Sequence, residues 1–258
     1  MSYHLSSGET ISEINEDLVL IEKDSGIKFG TDSYLISAFI RKNISGDAAD
    51  LGAGSGVISL FAAARCSFDA VHAIEIQREF SELITRNARQ NSLDGKIVTH
   101  CEDIRNVKDV FRPETFAAVF SNPPYMKVGS GKAPSASEMN KARREENGTV
   151  DDFCAAASYL LKYGGLFWTV FRPERIGELI SSLTRYSLEP KRMIFVHSDV
   201  TSPPSLVLTE AKKGAAPGVR IARPLIIYND PPEEKTRRYT KDMERVYSDF
   251  SLEFLFDK

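Results

Sequence analysis

Only three cysteines occur in the 258 residues, Cys66, Cys101 and Cys154, and no two are close enough to form a CxxC pair. That scarcity excludes a disulfide framework and a thiolate metal cage, leaving buried reduced thiols as the expectation. The four histidines, His4, His72, His100 and His197, lack ligand spacing, so no metal is expected. No apolar run approaches the roughly 20 residues that a membrane-crossing helix needs. Residues 1–10 are polar, with no apolar signal-peptide core. A cytoplasmic chain with no membrane partner is therefore expected. There is no internal repeat.

With 42% hydrophobic and 27% charged residues, the chain has the balance of a water-exposed globular protein with a sizeable core. Two apolar runs flanking Asp24-Ser25-Gly26 predict a hairpin over residues 18–29. Tyr34, Leu35, Ala38 and Phe39 give helical spacing over residues 31–41. Strands are then expected at 48–51, 70–75, 96–100, 116–121 and 166–170. Helices are expected at 57–64, 78–91, 152–163 (ended by Gly164-Gly165) and 174–186. Such alternation predicts a mainly parallel sheet with helices on both faces. Residues 193–197 and 205–210 have no room for a helix between them and should pair antiparallel. A further strand is expected within 219–228 and a helix over 240–248. Residues 1–45 read as a hairpin-and-helix extension leading into one domain, 46–258.

Two stretches carry chemistry. The first is Asp50-Leu51-Gly52-Ala53-Gly54-Ser55-Gly56. Its glycines permit a tight turn and close approach of a nucleotide-type ligand. The spacing is GxGxG, not the GxGxxG of a dinucleotide fingerprint. Glu75 closes the next strand, where a carboxylate can accept from both hydroxyls of a ribose. Asp103 follows the third strand and could accept from an adenine amino group, although loop and cap roles are equally common for it.

The second stretch is Ser121-Asn122-Pro123-Pro124-Tyr125, directly after a strand. Two prolines stop both strand pairing and helix, so the backbone is stiff and extended. The Asn122 side-chain oxygen and the Pro123 carbonyl can together hold the two hydrogens of an aromatic NH2 group. Tyr125 offers a face for stacking the ring. Acceptors held in place stabilise the positive charge that develops on such a nitrogen as it attacks.

The net charge of −3 argues mildly against a nucleic-acid partner, but its distribution argues the other way. Residues 1–40 are acidic. Residues 127–144 carry Lys127, Lys132, Lys141, Arg143 and Arg144 against Glu138. Residues 211–241 carry eight basic residues against Asp230, Glu233 and Glu234. Solvated surface charge explains either segment alone. The first follows the Asn-Pro-Pro-Tyr corner directly, which makes its five cations candidates for phosphate contacts.

At these motifs the chain resembles the class I S-adenosylmethionine-dependent methyltransferases, and within them the bacterial tRNA(Val) (adenine-N6)-methyltransferase family. The resemblance runs from about residue 18 to 239. It includes Phe29-Gly30-Thr31-Asp32-Ser33, Phe171-Arg172-Pro173-Glu174-Arg175 and Leu208-Thr209-Glu210-Ala211-Lys212-Lys213-Gly214. It implies a Rossmann-like fold with a seven-stranded, mainly parallel sheet and antiparallel C-terminal strands. It implies S-adenosylmethionine as cofactor, bound by Asp50, Gly52, Gly54, Glu75, Asp103 and Asn122, with Gly30, Thr31 and Asp32 near its methionine end. Asn122, Pro123 and Tyr125 would hold an adenine of tRNA beside the anticodon. Where family members often carry Ala-Arg-His-Glu, this chain has Ala142-Arg143-Arg144-Glu145.

Other readings share parts of this pattern. A protein-glutamine N5-methyltransferase would use the same corner on a planar amide, but usually carries a sizeable helical domain before the glycine turn. An rRNA guanine-N2 enzyme, a DNA adenine methyltransferase, a non-catalytic RNA-binding protein of the same fold and an NAD-dependent dehydrogenase are further alternatives. The sequence leaves the oligomeric state open.

Overall fold

The computed structural model describes residues 5–24, 29–124, 148–230 and 236–257. The chain opens with β1 (Glu9–Glu13) and β2 (Val19–Lys23), paired antiparallel with Ile11 opposite Ile21. β2 thus finds a partner upstream, while residues 25–28 of the hairpin expected over 18–29 lie outside the described residues. The reversal is made by Asn15, whose Oδ1 accepts from the backbone N–H of Asp17 at 2.9 Å and of Leu18 at 2.8 Å. An asparagine that bonds the backbone two and three residues on is a turn-former in its own right. The signal was faint because β1 has a single large apolar residue, Ile11.

α1 (Thr31–Phe39) follows, then β3 (Ala48–Leu51), α2 (Val57–Arg65), β4 (Val71–Glu75), α3 (Arg78–Gln90) and β5 (Ile97–Cys101). After a 3-10 turn (Ile104–Asn106) and the short α4 (Val107–Val110) comes β6 (Phe116–Ser121). The second half contains α5 (Val150–Leu160), β7 (Leu161–Phe171), α6 (Ile176–Arg185), β8 (Leu188–His197) and β9 (Pro204–Lys213). It ends with β10 (Arg220–Ile221), β11 (Leu225–Ile226), α7 (Lys241–Asp249) and a closing 3-10 turn, Glu253–Phe256.

The helix expected to run to residue 163 stops at Leu160, and Gly164-Gly165 lie inside β7 instead. A capping box between Thr149 and Asp152 starts α5 earlier than expected. The glycines serve strand packing. A Cβ on Gly165 would lie 2.9 Å from the Lys162 carbonyl oxygen and 3.1 Å from that of Ala117, where the β6–β7 register shifts. The glycine pair thus marks a bulge, not a helix stop.

Among the described residues nine strands form the main sheet, in the order β10-β8-β9-β7-β6-β3-β4-β5, with β11 also on β8. Only β9 runs antiparallel to its neighbours, β7 and β8. Seven of these strands match the expected ones, and the further strand expected within 219–228 is met by two short ones, Arg220–Ile221 and Leu225–Ile226. The short β10 and β11 both pair parallel with β8.

Side chains alternate between two cores. One face packs Phe39, Phe61, Ile84, Trp168 and Phe250, drawn from α1, α2, α3, β7 and the end of α7. The other packs Phe116, Phe153, Phe167, Phe171 and Leu183 beneath α5 and α6. The Leu208–Gly214 segment supplies a buried charge cluster. Glu210, with no exposed surface, accepts from Arg41 Nε at 2.8 Å and Arg192 at 3.2 Å. Arg192 also bonds Glu253 at 2.7 Å and lies 4.0 Å above the Phe256 ring, tying the closing turn to the sheet.

The N-terminal hairpin docks through a polar ladder. Asn91, which caps the C-terminus of α3, accepts from Val19 N–H at 2.9 Å and donates to the Val19 carbonyl at 2.8 Å. One helical turn earlier, the fully buried Asn87 does the same for Ile21, at 2.8 and 3.1 Å. Two asparagine side chains thereby satisfy the open edge of β2 as another strand would.

Candidate active site at the carboxyl edge of the sheet

The chain runs outward from β3 to β4 and β5, then crosses back to β6 on the other side of β3. That reversal opens a crevice at the carboxyl ends of β3 and β6, the usual ligand position in an open α/β sheet. Leu51 stands opposite Ser121, and Ser121 Oγ donates to the Leu51 carbonyl at 2.8 Å. The glycine turn and the Asn122-Pro123-Pro124 corner therefore leave neighbouring strands at the same level, about 5 Å apart.

Gly52, Gly54 and Gly56 have φ of 69°, 56° and 85°. That left-handed backbone is costly for any residue with a Cβ. The three differ in surroundings. A Cβ on Gly52 would meet the Phe153 ring at 3.2 Å, and one on Gly56 would meet Ile84 at 3.0 Å. Among the described residues, a Cβ on Gly54 would meet nothing within 4 Å. The middle of the turn faces open space while both ends are pressed into the fold.

Glu75 is 4% exposed and braces this turn. Its Oε2 accepts from Gly54 N–H and its Oε1 from Gln77 N–H, both at 2.9 Å. Burial raises its pKa above the usual carboxylate range, against the opposing pull of those hydrogen bonds. A carboxylate has about four acceptor positions, so capacity remains for ligand hydroxyls. Asp50 lies below the turn with no exposed surface. Its Oδ2 accepts from Ser59 Oγ at 2.7 Å, while Oδ1 has no hydrogen-bond partner among the described residues. Burial is the main reason its pKa is pushed up to about 7; Ser59 opposes the shift and nearby Glu75 adds to it.

Asp103 sits at the end of β5 on the same edge, but its carboxylate is engaged. It caps the 3-10 turn through Arg105 N–H at 2.9 Å and forms a forked ion pair with the Arg105 guanidinium. Burial would raise its pKa, yet the bonds to Arg105 outweigh burial and hold it below the usual value. Gly30 caps α1 in extended conformation, Thr31 is exposed, and Asp32 Oδ1 accepts from Ser33 N–H at 2.8 Å. Asn122 is half-buried and donates from Nδ2 to Ser33 Oγ at 3.2 Å; Pro123 is buried. Tyr125, Lys127, Lys132, Lys141, Arg143 and Arg144 lie outside the described residues.

Three participants escaped the sequence reading: Ser33, Ser59 and Asn87. Asn87 Nδ2 also donates to the Ser55 carbonyl at 2.9 Å, linking the hairpin to the glycine turn. A polar residue repeated at i and i+4 on the buried face of α3 was the available signal. Among the described residues no group of three His, Cys, Asp or Glu side chains could hold a metal ion.

The family model described as the methyltransferase small domain matches residues 25–178. The chain belongs to that family. Curated relatives point the same way. A tRNA1(Val) (adenine(37)-N6)-methyltransferase of Bacteroides fragilis is 28% identical over 70% of this chain and 76% of its own length. One from Phocaeicola vulgatus is 29% identical over 72% and 77%. One from Pectobacterium carotovorum is 24% identical over 88% of both chains. Among solved structures, a predicted O-methyltransferase of Agrobacterium tumefaciens superposes with a TM-score of 0.66 at 20% identity, covering 86% of this chain and 97% of that one. The tRNA m1G37 methyltransferase of M. jannaschii gives 0.55 at 16%, covering 81% and 58%. These structures share the fold of this methyltransferase small domain, and the class I architecture expected from the sequence is borne out.

Proposed function

We infer that this methyltransferase acts on the N6 amine of an adenosine in tRNA, beside the anticodon of tRNA(Val), with S-adenosylmethionine as donor. One observation carries the reading. The register of β3 on β6 sets an open glycine turn beside a rigid Asn-Pro-Pro corner. The curated relatives that span most of this chain bear the matching name.

The cradle suits the cofactor. Open space over Gly54 admits a ligand against the backbone, and Glu75 stands at the adjacent strand end to accept from a ribose diol. Gly52 shapes the same turn, and Asp50 supports it from below. Gly30, Thr31 and Asp32 open α1, the helix that meets Asn122 through Ser33. Asp103 would serve the adenine end only by sharing its carboxylate with Arg105. When bound, the cofactor supplies a methyl group already activated on a sulfonium, so the protein's task is alignment.

Asn122 and the Pro123 carbonyl are the acceptors for the target amine, with Tyr125 stacking on its ring. Lys127, Lys132, Lys141, Arg143 and Arg144 are the phosphate contacts in this reading. The second basic segment adds less than its composition suggested. Arg237 pairs with Asp199 at 3.1 Å, Arg238 with Asp230 at 2.8 Å and Lys213 with Glu114 at 3.2 Å; Arg223 pairs with Asp242. Cations already paired within the fold have less to offer a phosphate. The target base must leave its stack to enter the crevice, which costs least in a loop.

Incubation with unmodified tRNA(Val) transcript and labelled donor, followed by mass spectrometry of the nucleosides, tests the assignment. N6-methyladenosine is the expected product. Label in guanosine, or in protein instead of RNA, would reject it. Asn122→Ala should lower kcat by about a hundredfold or more while donor binding persists.

A further inference from the structure

Tyr228, Tyr239 and Tyr247 belong to neither chemical motif, yet the fold gathers them at the edge of the sheet that holds Asn122. β8 and β11 run in the same direction as β6, so all three end on the same side. Tyr228 follows β11, and its N–H donates to the Ser198 carbonyl just beyond β8 at 2.9 Å. In the order β8-β9-β7-β6, the ends of β8 and β6 lie about 15 Å apart. α1 spans part of that gap. Ser33 contacts Asn122, and the ring of the next residue, Tyr34, lies 4.9 Å from that of Tyr247.

Local structure holds these rings in place. Asn229 N–H donates to the Arg238 carbonyl and Thr240 N–H to the Ile227 carbonyl, both at 2.9 Å, and Asn229 Nδ2 donates to the Tyr239 carbonyl at 2.8 Å. This pairing stacks Tyr239 on Tyr228, with centroids 5.2 Å apart and planes 17° from parallel. The Arg237 guanidinium backs Tyr228 at 4.0 Å. Thr240 caps α7, and the helix brings Tyr247 back to Tyr239, 5.2 Å between centroids and 3.4 Å between hydroxyls. Tyr239 and Tyr247 remain 38% and 43% exposed. Two touching aromatic rings left in water are apolar surface available for burial.

Resting on the reading of the substrate as tRNA, we propose that Tyr239 and Tyr247 form a stacking surface for an unpaired loop base next to the adenosine extruded toward Asn122. Extruding one base takes a stacking partner from its neighbours, and an aromatic side chain replaces that partner. Rings already held by the fold lose little freedom on binding. The nearby arginines are paired, Arg237 with Asp199 and Arg238 with Asp230, so this surface recognises by ring face and not by charge. Burial, then the Tyr239 hydroxyl, raises the pKa of Tyr247, which keeps that phenol neutral beside a phosphate chain. Every base has a face, so the surface tolerates different neighbours of the target.

The test uses the full chain, wild type and with Tyr239→Leu, Tyr247→Leu or Tyr239→Phe. Binding of unmodified tRNA(Val) transcript is read by fluorescence anisotropy over a range of salt, with donor affinity and thermal melting alongside. Each leucine variant should weaken tRNA binding roughly tenfold, the scale of base stacking on an aromatic ring, with donor affinity unchanged. The slope of log Kd against log salt should stay as in wild type, because a ring neutralises no phosphate. Tyr239→Phe keeps the ring face and should bind as wild type does. A second measurement needs no variant. Wild-type chain is photocrosslinked to transcript carrying 5-iodouridine on either side of the target adenosine, and adducts should map to Tyr239 or Tyr247. Wild-type tRNA affinity in both leucine variants, a phenylalanine variant as weak as the leucine one, a shallower salt slope, or adducts only elsewhere would overturn the proposal alone. A wild-type chain that methylates no RNA would instead overturn the reading on which it rests.

Discussion

Gly54→Ala and Gly56→Ala are chemically identical changes in one turn, and the structure separates their effects. Both place an alanine at positive φ, 56° and 85°, at about 1–2 kcal/mol each. At Gly54 the new methyl meets none of the described residues within 4 Å, so it adds no packing strain against them. At Gly56 it meets three side-chain atoms of Ile84 at 3.0, 3.1 and 3.4 Å. Ile84 is 1% exposed and has little room to yield; overpacking of this kind costs about 1–3 kcal/mol more. Gly56→Ala should therefore lose about 2–5 kcal/mol. For a chain of this size that lowers the melting temperature by roughly 4–20 °C. Gly54→Ala should melt within about 8 °C of wild type, yet its methyl occupies the space against which the donor packs. Donor affinity should fall at least about tenfold, or about 1.4 kcal/mol. Differential scanning fluorimetry and titration calorimetry read the two quantities separately. A Gly54→Ala protein that binds donor normally would remove the cofactor from that turn. A Gly56→Ala protein that melts like wild type would show that Ile84 has slack the reasoning denies.

Asp50 predicts a pH dependence. Its folded pKa, about 7, lies above the unfolded value of about 3.9, so the folded state binds the extra proton between them. Its contribution to stability is fully present below pH 4 and is lost as pH rises through 7, a change of order 4 kcal/mol at most. Asp50→Asn cannot ionise, so its melting temperature relative to wild type should rise from pH 5 to pH 8; parallel curves would refute the assignment. Asn87→Ala would strip partners from the buried Ile21 N–H and from the Ile21 and Ser55 carbonyls. About 2–5 kcal/mol of stability should be lost. Hydrogen exchange should rise in both β2 and the glycine turn; protection lost in only one of them would sever the proposed link.

The strands β3 and β6 were legible to the residue, and so was the class of sheet. Alternation, glycine and proline act through local backbone sterics, which a single stretch of chain carries with it. The juxtaposition of the glycine turn with the Asn-Pro-Pro corner followed too, because a doubly wound sheet puts both after its central strands. Tertiary structure alone decided the pairings between distant side chains. Composition did not show that β2 would pair upstream, that Arg105 would claim Asp103, or that four of the eight cations in the second basic run would be spent in ion pairs. Nor did it show Asn87 reaching Ser55, or Ser33 reaching Asn122. A hydrogen bond between side chains depends on where two elements come to rest against each other, and packing across the whole core sets that.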